Sequence, residues 1–189
     1  YNFRELRREL QDIGESFVSH SDTEIILRLY ALHGVEGLHR LRGMFAMALW
    51  DAQEKTLLLI RDRLGIKPLY YSVENGTLIF ASEVRAILAT DLVSRQIDPI
   101  ALNEYLAYQS IPAPRTLIQG IQTLPPGNWL TINASGQIQQ TAYWDLLQSH
   151  STEPHGADKP AIVRRVGELL REATKLHLVS DVPVGVFLS

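Results

Sequence analysis

The sequence predicts an α+β fold on three observations: helical patterns near its start, two β-hairpins after them, and a helix followed by an apolar strand at its end. In the first helix, Phe3, Leu6 and Leu10 recur at helical spacing, and Gly14 can end the helix. The apolar pair at residues 17–18 then predicts a short strand. These segments together favour a globular chain of mixed secondary structure.

A second helix is predicted to begin near Asp22 and to end near Gly34. Ser21 and Glu24 have the spacing of a capping box, in which the side chain of each residue bonds the backbone N–H group of the other. The apolar residues that follow are spaced to share one face of the helix. This face is expected to be buried.

Two β-hairpins are predicted in the next part of the chain. The apolar runs at residues 44–50 and 57–60 flank a polar turn and form the first hairpin. The runs at residues 69–73 and 78–81 flank Asn75-Gly76, a dipeptide that supplies the two positive φ angles of a type I′ turn. We expect both hairpins to belong to the same sheet.

A further helix and strand are predicted after the hairpins. Asp98-Pro99 supplies an N-cap residue followed by proline at the first helical position. Leu102, Tyr105 and Leu106 are expected to form the buried stripe of this helix. After a loop that contains proline, residues 129–132 are predicted to form a strand.

Composition along the chain predicts two domains joined by a linker. Residues 1–148 are expected to form the first domain, because they contain all the elements above. Residues 149–159 are polar, contain proline and glycine and lack an apolar period, so they are interpreted as a linker. Residues 160–189 carry a helix opened by Pro160 and an apolar strand from Val182 to Leu188, which is how an α/β domain begins.

The overall composition excludes several classes of protein. The chain has 189 residues, 46% of them hydrophobic, and a formal net charge of −3, so nothing indicates nucleic-acid binding. No apolar run reaches the roughly 18 residues that a membrane-spanning helix needs. Cysteine is absent, which excludes a disulfide framework, a cysteine metal site and a cysteine nucleophile within these residues. We expect a soluble, cytoplasmic protein with no nucleic-acid or membrane partner.

Few side chains stand out as candidates for chemistry. Asp22 could bind a cation, or it could only stabilise the start of its helix. Glu83 could act as an acid or a base, although a structural role at the start of a helix is the more common one. A dense charge cluster allows either an anion site or a turn that is solvated or salt-bridged, and it consists of Arg61, Asp62, Arg63 and Lys67. The six histidines lack metal-ligand spacing, so no metal ligand is predicted.

Several motifs, in order along the whole chain, resemble those of the glutamine-dependent asparagine synthetase family. They are YNFRELRREL from residue 1, SDTEIIL from residue 21, GMFAMALWD from residue 43, RDRLGIKPLYY from residue 61, FASEVRAIL from residue 80, LPPG from residue 124, and SDVPVGVFLS from residue 180. The resemblance implies an N-terminal-nucleophile glutaminase domain, a four-layer αββα sandwich, joined to an α/β ATP-pyrophosphatase domain. It also implies that the chain is an internal fragment, inactive alone, whose catalytic cysteine lies outside it.

The reaction that the resemblance implies needs two sites. A cysteine attacks the side-chain amide of glutamine and releases ammonia, which travels through an internal tunnel to the second domain. There aspartate and ATP form aspartyl-AMP and pyrophosphate, and ammonia displaces AMP to give asparagine. The implied cofactors are ATP and Mg²⁺, and the implied small-molecule partners are glutamine, aspartate and ATP.

The resemblance assigns roles to five residues of this chain. Asp22 matches the aspartate that binds the α-ammonium group of glutamine. Met44 matches a residue that lines the ammonia tunnel, although by itself it is an ordinary core methionine. Phe187, Leu188 and Ser189 match the approach to the ATP pyrophosphate loop, and their alternative role is the buried end of a strand.

Two other functions stay open from the sequence. One is an enzyme similar to β-lactam synthetase, with the same ATP chemistry but a first domain that is only structural. The other is a non-catalytic scaffold module in which neither site is intact. The oligomeric state is also open, a homodimer included.

Overall fold

The computed structural model describes residues 2–148, 158–180 and 182–185. The chain splits into two compact units, of which one comprises Tyr1–Gly43 with Ser151–Ser189 and the other comprises Met44–His150. In chain order the elements are α1 (Phe3–Asp12), α2 (Asp22–Gly37), β1 (Ala46–Asp51), β2 (Thr56–Arg61), β3 (Tyr70–Glu74), β4 (Thr77–Ala81), α3 (Val84–Leu88), α4 (Pro99–Tyr108), β5 (Gln122–Thr123), β6 (Asn128–Ile132), β7 (Ile138–Ala142) and α5 (Lys159–His177).

In the first unit, α1 forms as its apolar spacing predicts, with Leu6 and Leu10 buried. The strand predicted at residues 17–18 is wrong. Val18 is 96% exposed, and its backbone N–H group donates to the Glu24 carboxylate rather than to a neighbouring strand. Because none of the strands that the structure describes pairs with residues 17–18, they lie in a loop that the Glu24 side chain holds in place.

Helix α2 begins at Asp22 as predicted and continues past the predicted end. Ser21 caps it, because its hydroxyl oxygen accepts from the backbone N–H of Thr23 at 3.1 Å. Gly34 breaks the helical geometry with φ 61° and ψ −154°, and a further helical turn then runs to Gly37. Glycine adopts this backbone conformation without a Cβ penalty, so the chain kinks at Gly34 instead of ending there.

The second unit contains two antiparallel sheets, with strand orders β1-β2-β6-β7 and β4-β3-β5. The two sheets share an apolar core of buried side chains from both, namely Leu59, Leu69, Tyr71, Leu124 and Leu130. The prediction that both hairpins lie in one sheet is therefore wrong. Because the turn after β2 carries the chain into the second layer, the free edge of β2 pairs with β6 instead of β3. The α+β class with antiparallel sheets is confirmed.

Helices α3 and α4 lie between β4 and β5 in the chain, and only part of the prediction for α4 holds. Asp98 caps α4 as expected, accepting from the N–H groups of residues 100 and 101 at 2.8 and 3.2 Å. The predicted buried stripe is wrong, since Leu102, Tyr105 and Leu106 are 38%, 51% and 73% exposed. Ala101 is the buried residue of α4. A single small side chain thus faces the core, and the larger apolar residues face outward.

Helix α5 is the last helix of the described part of the chain. Helix α5 begins at Lys159, one residue before the predicted start, and none of its described side chains is buried. The strand predicted from Val182 to Leu188 is absent at residues 182–185, where no neighbouring strand pairs with the chain among the described residues. Residues 186–189 and the predicted linker up to residue 157 lie outside the described part, and the domain boundaries stay a prediction.

Two glycines with positive φ allow a matched test of close packing. Gly127 has φ +64°, and an added Cβ would lie 2.4 Å from the Trp144 carbonyl oxygen, whereas Gly136 has φ +77° with no atom within 4 Å. Since both alanine variants share the backbone strain, Gly127→Ala should lower the free energy of unfolding by about 2 kcal/mol more than Gly136→Ala. Urea denaturation followed by tryptophan fluorescence measures both. Equal losses would contradict the packing described here.

Candidate functional site

Asp22 is the first residue of α2, and its side chain is exposed. Its Oδ1 atom accepts long hydrogen bonds from the hydroxyl groups of Thr23 at 3.4 Å and Ser21 at 3.5 Å. The positive end of the helix dipole stabilises a carboxylate here. Because these contacts are long and the side chain is exposed, the carboxylate can also accept a charge-assisted bond from an ammonium group. The geometry therefore suits both interpretations of Asp22.

The loop in front of Asp22 is fixed by Glu24. The Glu24 carboxylate accepts from the backbone N–H groups of Val18 and Ser19 at 2.9 and 2.7 Å, and from the Ser19 hydroxyl at 2.6 Å. The Ser21 N–H group donates to the Ser19 hydroxyl oxygen at 3.2 Å instead of to Glu24. The predicted capping box is therefore wrong: Ser21 caps the helix through Thr23 rather than Glu24, and Glu24 does not accept from Ser21. Glu24 instead closes the loop that leads into α2.

These hydrogen bonds lower the pKa of Glu24 from 4.5 to about 2, with the Ser19 hydroxyl as the largest cause, the backbone N–H groups of Val18 and Ser19 next, and Arg28 last. Since the pKa is lower in the folded chain, the ionised carboxylate adds stability above pH 4.5 that is lost as the pH falls towards 2. A carboxyl-carbon NMR titration should give a Glu24 midpoint of about 2. A midpoint near 4.5 would contradict the loop geometry. In Glu24→Gln the titrating carboxyl signal should be absent, and the free energy of unfolding should change less with pH between 4.5 and about 2.

Met44 lies two residues before β1 and is half-buried. Asp22 belongs to the first unit and Met44 to the second. The residue after Met44 is anchored twice to Asp62: the Phe45 N–H group donates to Asp62 Oδ2 at 3.2 Å, and the Asp62 N–H group donates to the Phe45 carbonyl oxygen at 2.9 Å. The backbone next to Met44 is therefore held in a fixed place within its unit.

Asp62 is 1% exposed and receives backbone donors from two directions. Besides Phe45, its carboxylate accepts from the N–H groups of Leu64, Ile66 and Lys67 at 3.1, 3.0 and 3.0 Å. Four backbone donors compensate for the desolvation of this charge. The sequence showed a charged turn here, and the order R-D-x-x-G was the signal that a short acidic side chain could turn back onto its own loop.

Arg61 closes the same turn and is not an anion site. Its guanidinium group donates to the carbonyl oxygens of Gly65, Lys67 and Leu124 at 2.7, 2.9 and 2.7 Å, and to the Thr123 hydroxyl at 3.0 Å. Burial lowers the pKa of Arg61, while the nearby Asp62 opposes that shift. Because its three nitrogens all donate to protein oxygens, the Arg61 guanidinium group is engaged by the protein rather than open to a phosphate.

Tyr143 directly follows β7 and packs against this turn. Its hydroxyl group donates to the Arg61 carbonyl oxygen at 2.8 Å, and its ring stacks on Trp129 with centroids 5.5 Å apart. Burial raises the pKa of Tyr143 to about 12; Arg63 opposes this shift and Asp62 adds to it. Tyr143 thus belongs to the same structural cluster as the turn that begins at Asp62.

Of the other candidates, Glu83 precedes α3 as its N-cap residue and forms an ion pair with Arg85. This supports a structural role for Glu83. Phe187, Leu188 and Ser189 lie outside the described residues. Within residues 2–148, 158–180 and 182–185, no group of three or more metal-ligating side chains comes together. No helix in the same ranges is long and apolar enough to cross a bilayer.

Comparison with known proteins agrees with this arrangement. Residues 1–144 match the glutamine amidotransferase domain family, and the chain belongs to that family. The glutamine phosphoribosylpyrophosphate amidotransferase of Bacillus subtilis has a similar fold, with a TM-score of 0.55 and 20% identity over 76% of this chain and 27% of that one. That similarity confirms the predicted class of N-terminal-nucleophile amidotransferase folds.

The relatives most informative about function are much longer than this chain. Asparagine synthetase (glutamine-hydrolysing) 1 of Bacillus subtilis is 36% identical over 189 residues, which is 100% of this chain and 29% of that protein. A putative asparagine synthetase of Mycobacterium tuberculosis is 37% identical over 196 residues, 100% of this chain and 30% of that protein. The amidase chyE of Penicillium rubens is 36% identical over 173 residues, 92% of this chain and 25% of that protein. The chain spans less than a third of the length of these relatives.

Proposed function

We propose that the complete protein is a glutamine-dependent asparagine synthetase and that this chain supplies most of its glutaminase part. The observation that carries the proposal is the identity of 36% to such a synthetase along all 189 residues, which extends beyond the amidotransferase match that ends at residue 144. A cytoplasmic location and small-molecule partners, namely glutamine, aspartate and ATP, follow from the same reaction.

The proposed chemistry transfers nitrogen from one amide to another. A cysteine thiolate outside this chain attacks the glutamine side-chain carbonyl, and the tetrahedral adduct collapses to a thioester as the amide nitrogen takes up a proton and leaves as ammonia. Water then hydrolyses the thioester to glutamate and regenerates the thiol. The aspartate side-chain carboxylate attacks the α-phosphorus of ATP and pyrophosphate leaves. Ammonia attacks the acyl carbon of the resulting aspartyl-AMP, a proton is lost, and AMP leaves with the bonding electron pair.

Asp22 is the proposed ligand for the α-ammonium group of glutamine. Its support is an exposed carboxylate at the N-terminus of a long helix, approached by a loop that Glu24 holds in place. A carboxylate that accepts from an ammonium group forms a short, charge-assisted hydrogen bond. Glu24 is turned away into its own loop, so Asp22 is the acidic side chain of this segment left for a ligand.

Met44 is the proposed wall residue of the path that ammonia takes. An apolar thioether favours neutral ammonia over ammonium, because a cation would lose its hydration there without compensation.

Phe187, Leu188 and Ser189 are proposed to approach the phosphates of ATP. The described residues offer no cluster for Mg²⁺, so its ligands are expected in other parts of the polypeptide. A homodimer is a proposal that rests on the resemblance alone.

A second candidate function keeps the amide-forming chemistry but uses a different acceptor. The relative from Penicillium rubens motivates it, because a protein that is not named as an asparagine synthetase shares 36% identity with 92% of this chain. Product analysis separates the two functions. The complete enzyme, incubated with glutamine, aspartate and ATP, should form asparagine, glutamate, AMP and pyrophosphate in matching amounts, whereas glutamate alone would leave another acceptor as the better proposal.

The role of Asp22 is tested by Asp22→Asn in the complete enzyme. Losing a charge-assisted bond to the substrate should lower kcat/KM for glutamine on the order of 100-fold, while synthesis driven by added ammonium chloride stays near the wild-type rate. Asp98→Asn is the matched control, because Asp98 is also a carboxylate at a helix N-terminus. That variant should leave both activities unchanged. Equal loss of both activities in Asp22→Asn would remove Asp22 from the glutamine site.

A further inference from the structure

A buried charge that no proposed step of the reaction uses lies next to Met44. The Asp62 carboxylate is almost fully buried, and each of its oxygens accepts two backbone N–H groups. Oδ1 accepts from Leu64 and Ile66, and Oδ2 accepts from Phe45 and Lys67. With about four acceptor sites on a carboxylate, this set of bonds is complete. Asp62 therefore has no acceptor site left for a ligand.

Three of these donors belong to the turn that Asp62 itself begins, and one does not. The Phe45 N–H group comes from the segment before β1, seventeen positions earlier in the chain, and it is the long-range partner of the carboxylate. The Phe45 carbonyl oxygen accepts from the Asp62 N–H group as well, so Phe45 is held at both of its polar backbone atoms. Met44 is joined to Phe45 by one peptide bond.

We propose that Asp62 is a positioning residue for ammonia transfer, because its carboxylate fixes the backbone that carries Met44. This proposal rests on the proposed function, in which Met44 lines the ammonia path. A wall residue must keep its place to within a fraction of an ångström for the path to stay closed to water. The anchor lies on the residue immediately after Met44, and the turn that supplies it is rigid, since Arg61 ties the same turn at Gly65 and Lys67.

The substitution Asp62→Asn tests the carboxylate in the complete enzyme. The amide keeps the shape of the side chain but replaces one acceptor oxygen with a donor, which cannot face two N–H groups. The main-chain bonds of Asp62 to Phe45, Gly65 and Gly127 remain in the variant. Glutamine hydrolysis should stay close to the wild-type rate, while asparagine formed per glutamate released falls by about tenfold because ammonia escapes.

Ser72→Ala is the control for a loss of stability alone. Ser72 lies in β3 of the three-stranded sheet and is also 1% exposed, and its hydroxyl donates to the carbonyl oxygen of Gly120 at 2.8 Å. The variant removes a buried hydrogen bond of the same unit but leaves the Phe45 anchor intact. Its ratio of asparagine to glutamate should equal that of the wild type, whatever its melting temperature.

A second pair of variants keeps the test valid if Asp62→Asn does not fold. Phe45→Ala and Phe45→Pro both remove the phenyl ring, but only proline also removes the N–H group that Asp62 accepts. Proline is tolerated just ahead of a strand, where Phe45 lies. The proline variant should lose more of the ammonia to solvent, and so form less asparagine per glutamate released, than the alanine variant.

The outcomes distinguish this proposal from the proposed function. A lowered ratio of asparagine to glutamate in Asp62→Asn or Phe45→Pro, with Ser72→Ala unchanged, supports the positioning role. An unchanged ratio, with glutamine-driven and ammonia-driven synthesis lowered equally, overturns it and makes Asp62 purely structural. A wild-type enzyme that forms no asparagine from glutamine overturns the proposed function, and the positioning role with it.

Discussion

The burial of one carboxylate within its own turn organises the second unit. Removing a charge from water is costly, and the chain at Asp62 compensates with four backbone N–H groups that would otherwise need water themselves. The Asp62 carbonyl oxygen also accepts from Gly65 and Gly127. One residue thus joins the start of β1, the turn after β2 and the turn before β6. The stacking of the two sheets depends on where this turn sends the chain.

Arg61 extends the same principle to the opposite side of the turn. Its guanidinium group satisfies carbonyl oxygens of the turn and of Leu124, and its own carbonyl oxygen accepts from the Tyr143 hydroxyl. Adjacent charged residues of opposite sign therefore serve the backbone rather than each other. The charged groups of Arg61 and Asp62 are thus both engaged by hydrogen bonds to the protein, which hold the turn in place.

The sequence predicted the elements that depend on local signals. The capping residues Ser21 and Asp98 lie where expected, and the Asn75-Gly76 turn joins β3 and β4. Sequence-based prediction failed for features that depend on contacts between distant parts of the chain. Periodicity could not show that the two hairpins belong to different sheets, nor that α4 covers the core with Ala101 alone. At the candidate site, the exposure of Asp22 at its helix start was predictable, but the burial of Asp62 needed the path of the turn.

The pairing of β2 with β6 has a consequence for how the chain folds. Leu59 lies opposite Leu130, so this edge of the sheet forms only after about seventy further residues are available. Non-local strand pairs of this kind raise contact order and slow folding. Until β6 arrives, β2 presents an unpaired, apolar edge, the feature that most readily joins strands of other chains. On the ribosome, the interval between β2 and β6 is therefore the period in which this polypeptide most needs protection from aggregation.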